Sequence, residues 1–111
     1  MNNNKQKGYL NEKLVKNYLE SKWYKFLEAN FTIRDWEIDL IFEKNWIIHF
    51  IEVKTVDFIN DTQDYITSKK IKALYKTAQI WIEKNKMNCM YQFDLAFVSK
   101  WKISFIENFL F

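Results

Sequence analysis

Two adjacent segments with strand-like patterns, residues 34–43 and residues 46–54, constrain the fold more than any other feature. The first alternates along its length, and the second is rich in the β-branched and aromatic residues that favour strands. A turn is predicted between them at Lys44-Asn45, which makes the pair an antiparallel hairpin. In the first strand we expect one face to carry these side chains: Trp36, Ile38, Leu40 and Phe42.

Helical periodicity flanks this hairpin on both sides. Residues 9–22 place their apolar side chains along one stripe of a helix. A second stripe predicts a helix that runs to about residue 85 and is capped at its start by Thr67 or Ser68. The helices are therefore expected to pack on the hairpin and its neighbouring strands.

The remaining segments give weaker signals. A short strand interrupted by a turn at residues 28–30 is expected before the hairpin, and a polar loop at residues 55–64 follows it. Further strands are predicted at residues 91–98 and 103–106. The order of helix, strands, helix and strands predicts an α/β sandwich around a mixed sheet.

Length and composition bound the class of protein. A chain of 111 residues predicts a single domain, residues 1–111, with one core. One cysteine and one histidine exclude an internal disulfide framework and a Cys-cluster or multi-histidine metal site. A metal would need oxygen ligands, which favours Mg²⁺, Mn²⁺ or Ca²⁺. We expect His49 to be packed or hydrogen-bonded rather than catalytic.

The termini and the apolar runs bear on location. Residues 1–7 are polar, lack the apolar core of a signal peptide and are expected to be frayed. No apolar run approaches the ~20 residues that span a bilayer, so we expect a cytoplasmic protein with no membrane partner. We also expect no small-molecule cofactor. Residues 105–111 are unusually apolar, and we expect them to dock on the domain or at a homodimer interface.

Charged residues near the ends of the two hairpin strands suggest chemistry. Asp39 lies among apolar neighbours, where a carboxylate needs a partner, and Glu52 and Lys54 project from one face of the second strand. If the strands pair, Asp39 approaches Glu52, and a divalent cation would relieve their repulsion. Lys54 would then orient a water or stabilise charge on a phosphate. On spacing alone, the simpler interpretation is a solvated Glu52–Lys54 pair, with Asp39 paired to a lysine.

Four blocks of sequence, in order, resemble the YraN family. The family pattern is Gly-x-x-Gly-Glu, Gly-Glu-Ile-Asp-Leu-Ile, Val-Glu-Val-Lys-Thr-Arg and Arg-Phe-Asp. The matching positions in this chain are Gly8 and Glu12, residues 37–41, residues 52–55, and Phe93-Asp94. Members are similar to Holliday-junction resolvases of the PD-(D/E)XK, or restriction-endonuclease-like, superfamily. The resemblance implies a three-layer α/β sandwich with a central mixed sheet flanked by helices.

The resemblance also implies a role for each matched residue. Asp39 and Glu52 match metal ligands, for Mg²⁺ or Mn²⁺, and Lys54 matches the catalytic lysine. Glu12 matches an acidic residue that completes the metal site in related resolvases and so is counted with the catalytic residues. Glu37 matches the first acid of its block and is assigned as a supporting acid.

Nucleic-acid contacts are expected at the start of the second helix. Lys69 falls where the family has a lysine, and the neighbouring Lys70 is included with it. Some family positions differ here, and two of the differences remove arginines that could contact a phosphate backbone. The substituted positions are Asn11, Trp36, Val56 and Gln92.

The resulting hypothesis is a metal-dependent endonuclease that hydrolyses phosphodiester bonds in DNA, with branched DNA as a candidate substrate. DNA rather than RNA is the expected partner, and a homodimer would suit a substrate with two strands to cut. An alternative is a non-catalytic nucleic-acid-binding or protein-interaction module on the same fold, which the missing arginines and the small net charge of +3 favour. A structural subunit that assembles through the apolar tail is a third possibility.

Overall fold

The computed structural model describes residues 3–57 and 67–110. Its helices and strands follow the chain as α1 (Asn3–Ser21), β1 (Lys25–Ile33), β2 (Trp36–Lys44), β3 (Ile47–Thr55), α2 (Ser68–Lys84), β4 (Met90–Ser99) and β5 (Lys102–Ile106). The strands form one sheet in the order β1-β2-β3-β4-β5. Only β3 and β4 run parallel in this sheet, and α2 lies in the connection that a parallel pair requires. The predicted mixed sheet is confirmed.

The two helices cover opposite faces of the sheet. Successive side chains of a strand point to opposite faces, and the β3 neighbours Phe50 and Ile51 belong to different buried clusters. The cluster around Phe50 includes Leu74 and Trp81 of α2, whereas the cluster around Ile51 includes Val15 of α1. The molecule is therefore a three-layer α/β sandwich, as the sequence predicted.

The central hairpin forms as predicted. β2 pairs antiparallel with β3, and Lys44 lies opposite Ile47 at the closed end. Asn45 and Trp46 connect the strands with φ angles of 54° and 68°. Two consecutive residues in the left-handed region give the turn type whose twist matches that of a hairpin.

The turn predicted at residues 28–30 is wrong. β1 continues through these residues from Lys25 to Ile33 and pairs with β2 along its length. Asn30 has a φ of 55°, a conformation that asparagine tolerates better than most residues. The segment thus contains a residue typical of turns, but pairing with β2 keeps the chain extended.

The single apolar face predicted for β2 is also wrong in part. Ile38 packs in the cluster with α2, whereas Leu40 and Phe42 pack in the cluster with α1. Asn30 lies opposite this change of face, because its neighbours in β1 pair with Ile38 and Leu40. The left-handed residue interrupts the regular pleat of β1, and the change of face in β2 lies directly opposite it.

The helix boundaries agree with the sequence at α2 and differ at α1. Thr67 caps α2, its hydroxyl accepting a hydrogen bond from the Lys70 N–H at 3.1 Å. α1 begins at Asn3, six residues before the predicted start and inside the segment expected to be frayed. Residues 58–64 of the predicted loop lie outside the described residues. No helix within residues 3–57 and 67–110 is long and apolar enough to cross a bilayer.

The apolar segment at the end of the chain contacts both sides of the sheet: Phe105 of β5 packs with the α1-side cluster, and residues 109–110 contact the α2 side. Phe109 and Leu110 pack against the cluster that includes Trp81. The Phe109 N–H donates to the Phe93 carbonyl at 2.9 Å, and the Tyr75 hydroxyl donates to the Leu110 carbonyl at 3.1 Å. These contacts fix the segment on β4 and α2 within one chain.

Candidate active site

The pairing of β2 with β3 stops beside a carboxylate. The last paired residues are Leu40 and Ile51, and the next residue of β2 is Asp39. The Asp39 Oδ2 accepts a hydrogen bond from the backbone N–H of Val53 at 2.8 Å. The side chain thus serves as the acceptor for a backbone donor of β3, which holds the carboxylate against the end of that strand.

Glu52 is a buried carboxylate with one paired and one unpaired oxygen. The residue is 4% exposed. Its Oε2 lies 3.2 Å from the Nζ of Lys70, whereas its Oε1 is buried and has no hydrogen-bond partner among the described residues. Leaving a buried acceptor unpaired costs free energy, so this oxygen is available to a ligand.

The two carboxylates are costly to ionise together. Burial raises the pKa of Asp39 from 3.8 to about 8, and the negative charges of Glu52, Glu12 and Glu37 contribute to the increase, while the Val53 N–H opposes it. Burial also raises the pKa of Glu52, although Lys70 and Lys54 favour its charged form. In both residues burial disfavours the ionised form, and at Asp39 the neighbouring negative charges add to this effect.

Two lysines lie beside the carboxylates. Burial lowers the pKa of Lys54, and a hydrogen bond and charge repulsion from Lys70 lower it further. Burial also opposes the charge on Lys70, but Glu52 and the hydrogen bond to Lys54 outweigh this effect and raise the pKa of Lys70. Lys69, in the same turn of α2, is exposed. Lys70 is therefore the cation that the structure assigns to Glu52.

A second pair of carboxylates lies next to Asp39. One amide nitrogen, Asn30 Nδ2, donates to Glu12 Oε1 at 3.0 Å and to Glu37 Oε1 at 2.6 Å. Burial raises the pKa of Glu12, with the Asn30 hydrogen bond opposing and Glu37 adding to the shift. These residues line a small cavity of about 230 Å³. Asn30 thus joins α1 and β2 at the edge of the site.

The structure brings most of the predicted residues together. Asp39, Glu52, Lys54 and Lys70 meet at the ends of β2 and β3 and the start of α2. Within the part of the chain that the structure describes, no three acidic, histidine or cysteine side chains are grouped closely enough to hold a metal ion. The role of Glu12 as a third ligand therefore stays a prediction.

The donor set of Asp39 and Glu52 fits a divalent cation of the Mg²⁺ type. Mg²⁺ is typically held by one or two carboxylates and keeps several water ligands. Glu52 provides a buried oxygen without a partner, and Asp39 provides a carboxylate surrounded by negative charge. Because the donors are oxygens alone, Mg²⁺ or Mn²⁺ is favoured over Zn²⁺.

Three contacts of the site were not predicted from the sequence. They are the Asn30 bridge, the Val53 N–H bond to Asp39, and the ion pair between Lys70 and Glu52. Asn30 carried a turn signal that did not indicate contact with Glu12. Lys70 was predicted to contact nucleic acid, and nothing in its spacing indicated a carboxylate partner.

The single histidine lies in the core, away from these carboxylates. His49 is buried, its Nδ1 is 2.6 Å from Asp94 Oδ2, and its ring packs edge-on against Tyr24. Asp94 also accepts from Gln92 Nε2 and from the Asn108 N–H. The prediction of a packed, hydrogen-bonded histidine is confirmed, and the Phe-Asp block has a structural role.

The three-layer fold and the charged cluster define a restriction-endonuclease-like domain. The chain belongs to the uncharacterised protein family UPF0102, whose model matches residues 11–98. UPF0102 is the YraN family of the restriction-endonuclease-like superfamily, which confirms the resemblance seen in the sequence.

Relatives match almost end to end. A UPF0102 protein of Campylobacter hominis is 41% identical over 101 residues, covering 91% of this chain and 90% of the relative. The match to a UPF0102 protein of Aliarcobacter butzleri is 35% identical, covering 94% and 96% of the two chains. A UPF0102 protein of Vibrio campbellii is 37% identical, and the match covers 94% of this chain and 91% of the relative.

Proposed function

We propose that this protein is a metal-dependent endonuclease that hydrolyses phosphodiester bonds in DNA, with branched DNA as a candidate substrate. One observation supports the proposal above the others. Two neighbouring carboxylates, Asp39 and Glu52, share a buried site with the ammonium groups of Lys54 and Lys70, and one Glu52 oxygen has no partner. Such a set suits a cation and a phosphate together.

In this proposal Asp39 and Glu52 hold the cation. A bound divalent cation supplies Lewis-acid chemistry, polarising a phosphoryl oxygen and lowering the pKa of water. Lys54 Nζ orients the attacking water and stabilises the negative charge that develops on the phosphate. Burial and Lys70 lower the pKa of Lys54, so its Nζ also accepts a proton more readily at the alkaline end of the working range.

The first turns of α2 are the proposed contact for the substrate backbone. Lys69, Lys72 and Lys76 are exposed on this helix, close in sequence to the site residue Lys70. Lysines on one element neutralise phosphates and give a binding energy that decreases with salt. We therefore assign α2 as the backbone contact and the ends of β2 and β3 as the cutting site.

A cleavage assay tests the activity. The protein is incubated with Mg²⁺ or Mn²⁺ and with four-way junction, flap, single-stranded and duplex DNA. Wild type is compared with Lys54→Met, Asp39→Asn and Glu52→Gln, and with Lys25→Ala as a matched control. Lys25 is exposed at the end of β1 that pairs with Glu43, away from Asp39.

We expect cleavage by wild type and by the control, and a loss of at least about 100-fold in the three site variants. Far-ultraviolet circular dichroism of each variant verifies the fold. Equal cleavage by wild type and Asp39→Asn would contradict the proposal, because it would show a contaminating nuclease or a site elsewhere.

A non-catalytic binding module on the same fold is the second candidate. Two observations favour it: the Glu52 oxygen nearest Lys70 is already paired, and no third carboxylate joins the group among the described residues. Under this alternative the protein shifts a junction in a gel without Mg²⁺, and neither wild type nor Lys54→Met cleaves the DNA with or without metal.

A further inference from the structure

The ion pair between Lys70 and Glu52 is shielded from water. The distance from Lys70 Nζ to Glu52 Oε2 is 3.2 Å, and the two side chains are 21% and 5% exposed. Lys70 also contacts the side chain of Lys54. The carboxylate of Glu52 lies against Lys70 and favours the charged form of both lysines.

We propose that Lys70 is an exchangeable cation of the site: it pairs with Glu52 in the metal-free protein and transfers to a substrate phosphate when a divalent cation binds. The inference rests on the proposed function and adds that cation binding is coupled to nucleic-acid binding. Loading of the cation would strengthen nucleic-acid binding by releasing Lys70.

Charge balance gives the reason for the exchange. With Lys54, Lys70, Asp39 and Glu52 all ionised, the four side chains sum to zero. A divalent cation on the carboxylates adds two positive charges, and repulsion then acts on every neighbouring ammonium. The phosphates of a nucleic acid supply the negative charge that restores the balance.

The position of Lys70 makes it the lysine that moves. Lys54 projects from β3, whose backbone is fixed by pairing with β4. Lys70 lies in the first turn of α2, is the more exposed end of its ion pair, and follows the exposed Lys69. Its flexible four-carbon side chain can reorient without a change in the backbone.

Calcium titration of the full-length, metal-free protein tests the first half of the proposal. Wild type, Lys70→Met, Lys70→Arg, Asp39→Asn and the control Lys25→Met are titrated with Ca²⁺ by calorimetry at about pH 8.5, without DNA. Lys25 is exposed at the end of β1 that pairs with Glu43, away from Asp39, and has no assigned role at the site. We expect Lys70→Met to bind Ca²⁺ about tenfold more tightly than wild type, because a competing charge is removed.

The other variants separate charge from structure. Lys70→Arg retains the charge and should restore weaker binding, Lys25→Met should match wild type, and Asp39→Asn should abolish the binding event. A merely structural role for Lys70 would lower stability without tightening Ca²⁺ binding. Unchanged or weaker Ca²⁺ binding by Lys70→Met would overturn the inference.

The second half of the proposal, the transfer of Lys70 to a substrate phosphate, is tested by the anisotropy of a labelled four-way junction. Binding is measured in Ca²⁺ and in EDTA, and a denaturing gel verifies that the DNA stays intact. Lys70→Met should weaken binding in Ca²⁺ by about three- to tenfold and leave it nearly unchanged in EDTA. An equal loss in both conditions would overturn the exchange.

The calcium titration also distinguishes the inference from the proposed function. Wild-type binding that Asp39→Asn abolishes but Lys70→Met leaves unchanged overturns the exchange alone. Absence of Ca²⁺ binding in every variant overturns both. Binding by Lys70→Met but not by wild type supports the exchange directly.

Discussion

The carboxylate of Asp39 accepts a hydrogen bond from the backbone N–H of Val53, the residue between Glu52 and Lys54. One contact at 2.8 Å thus fixes the β2 acid relative to both β3 side chains. Because Glu52 and Lys54 lie on the same face of β3, the position of Val53 determines where both can reach. The geometry of the proposed site therefore depends on a side chain that accepts a hydrogen bond from the backbone of a neighbouring strand.

Substitution of Asp39 should separate this structural contact from cation binding. Asparagine retains an oxygen that can accept from Val53, so Asp39→Asn should lose Ca²⁺ affinity without the destabilisation expected of Asp39→Ala. Asp39→Ala leaves a partly buried N–H without its partner and should lower the free energy of unfolding by about 1–3 kcal/mol. Urea unfolding in EDTA measures the free energy of unfolding of both variants. Equal destabilisation by the two substitutions would contradict the assigned contact.

The stability of the metal-free protein should fall as the pH rises. The pKa of Asp39 is about 8 in the folded chain against an ordinary 3.8, because of burial and the neighbouring carboxylates. The folded state therefore binds a proton that the unfolded state has released, and this contribution is lost as pH approaches 8. Glu52 is shifted in the same direction.

Urea unfolding in EDTA at several pH values from about 5 to 8.5 measures the trend. Asp39→Asn should show a shallower decline than wild type, and Lys25→Ala should follow wild type. Added Mg²⁺ should restore stability most at the alkaline end, where both carboxylates are ionised. Parallel profiles for wild type and Asp39→Asn would refute the assignment of the effect to Asp39.

Asp94 should be important for folding and unimportant for chemistry. It is fully buried and accepts from Gln92 Nε2 and the Asn108 N–H while pairing with His49. Asp94→Ala leaves buried polar groups unpaired and should cost about 3 kcal/mol in free energy of unfolding. Ca²⁺ affinity of the folded fraction should be unchanged, and a large loss of affinity at full folding would contradict this separation.

The docked end of the chain should stabilise the single domain. Phe109→Ala removes a ring packed against the α2-side cluster and should lower the free energy of unfolding by about 1–3 kcal/mol. The loss should not depend on protein concentration, because the contact lies within one chain. Analytical ultracentrifugation beside the unfolding curves is the check, and a concentration-dependent loss would indicate that the segment contacts a second copy.

The sequence predicted the elements of this fold well wherever a pattern was long and regular. The hairpin of β2 and β3 and the capped helix α2 follow from alternation, helical spacing and the Thr67 cap, whereas β4 and β5 lie where weaker signals predicted strands. The segment around Asn30 was predicted less well, since its local turn preference was overruled by hydrogen bonding to β2, a partner later in the chain. The change of cluster between Ile38 and Leu40 lies opposite the same residue.

For the site, the sequence by itself determined the chemical groups: two acids and a lysine at the ends of adjacent strands, with further lysines at a helix start. This prediction uses only residue types and the two-residue period of a strand, so it requires no knowledge of contacts between distant residues. Only the tertiary structure decided their partners: Asp39 with Val53, Glu52 with Lys70, and Glu12 with Asn30. The Glu52–Lys70 and Glu12–Asn30 contacts join residues 18 apart in the chain, and packing of helices on the sheet, not spacing along the chain, determines such contacts.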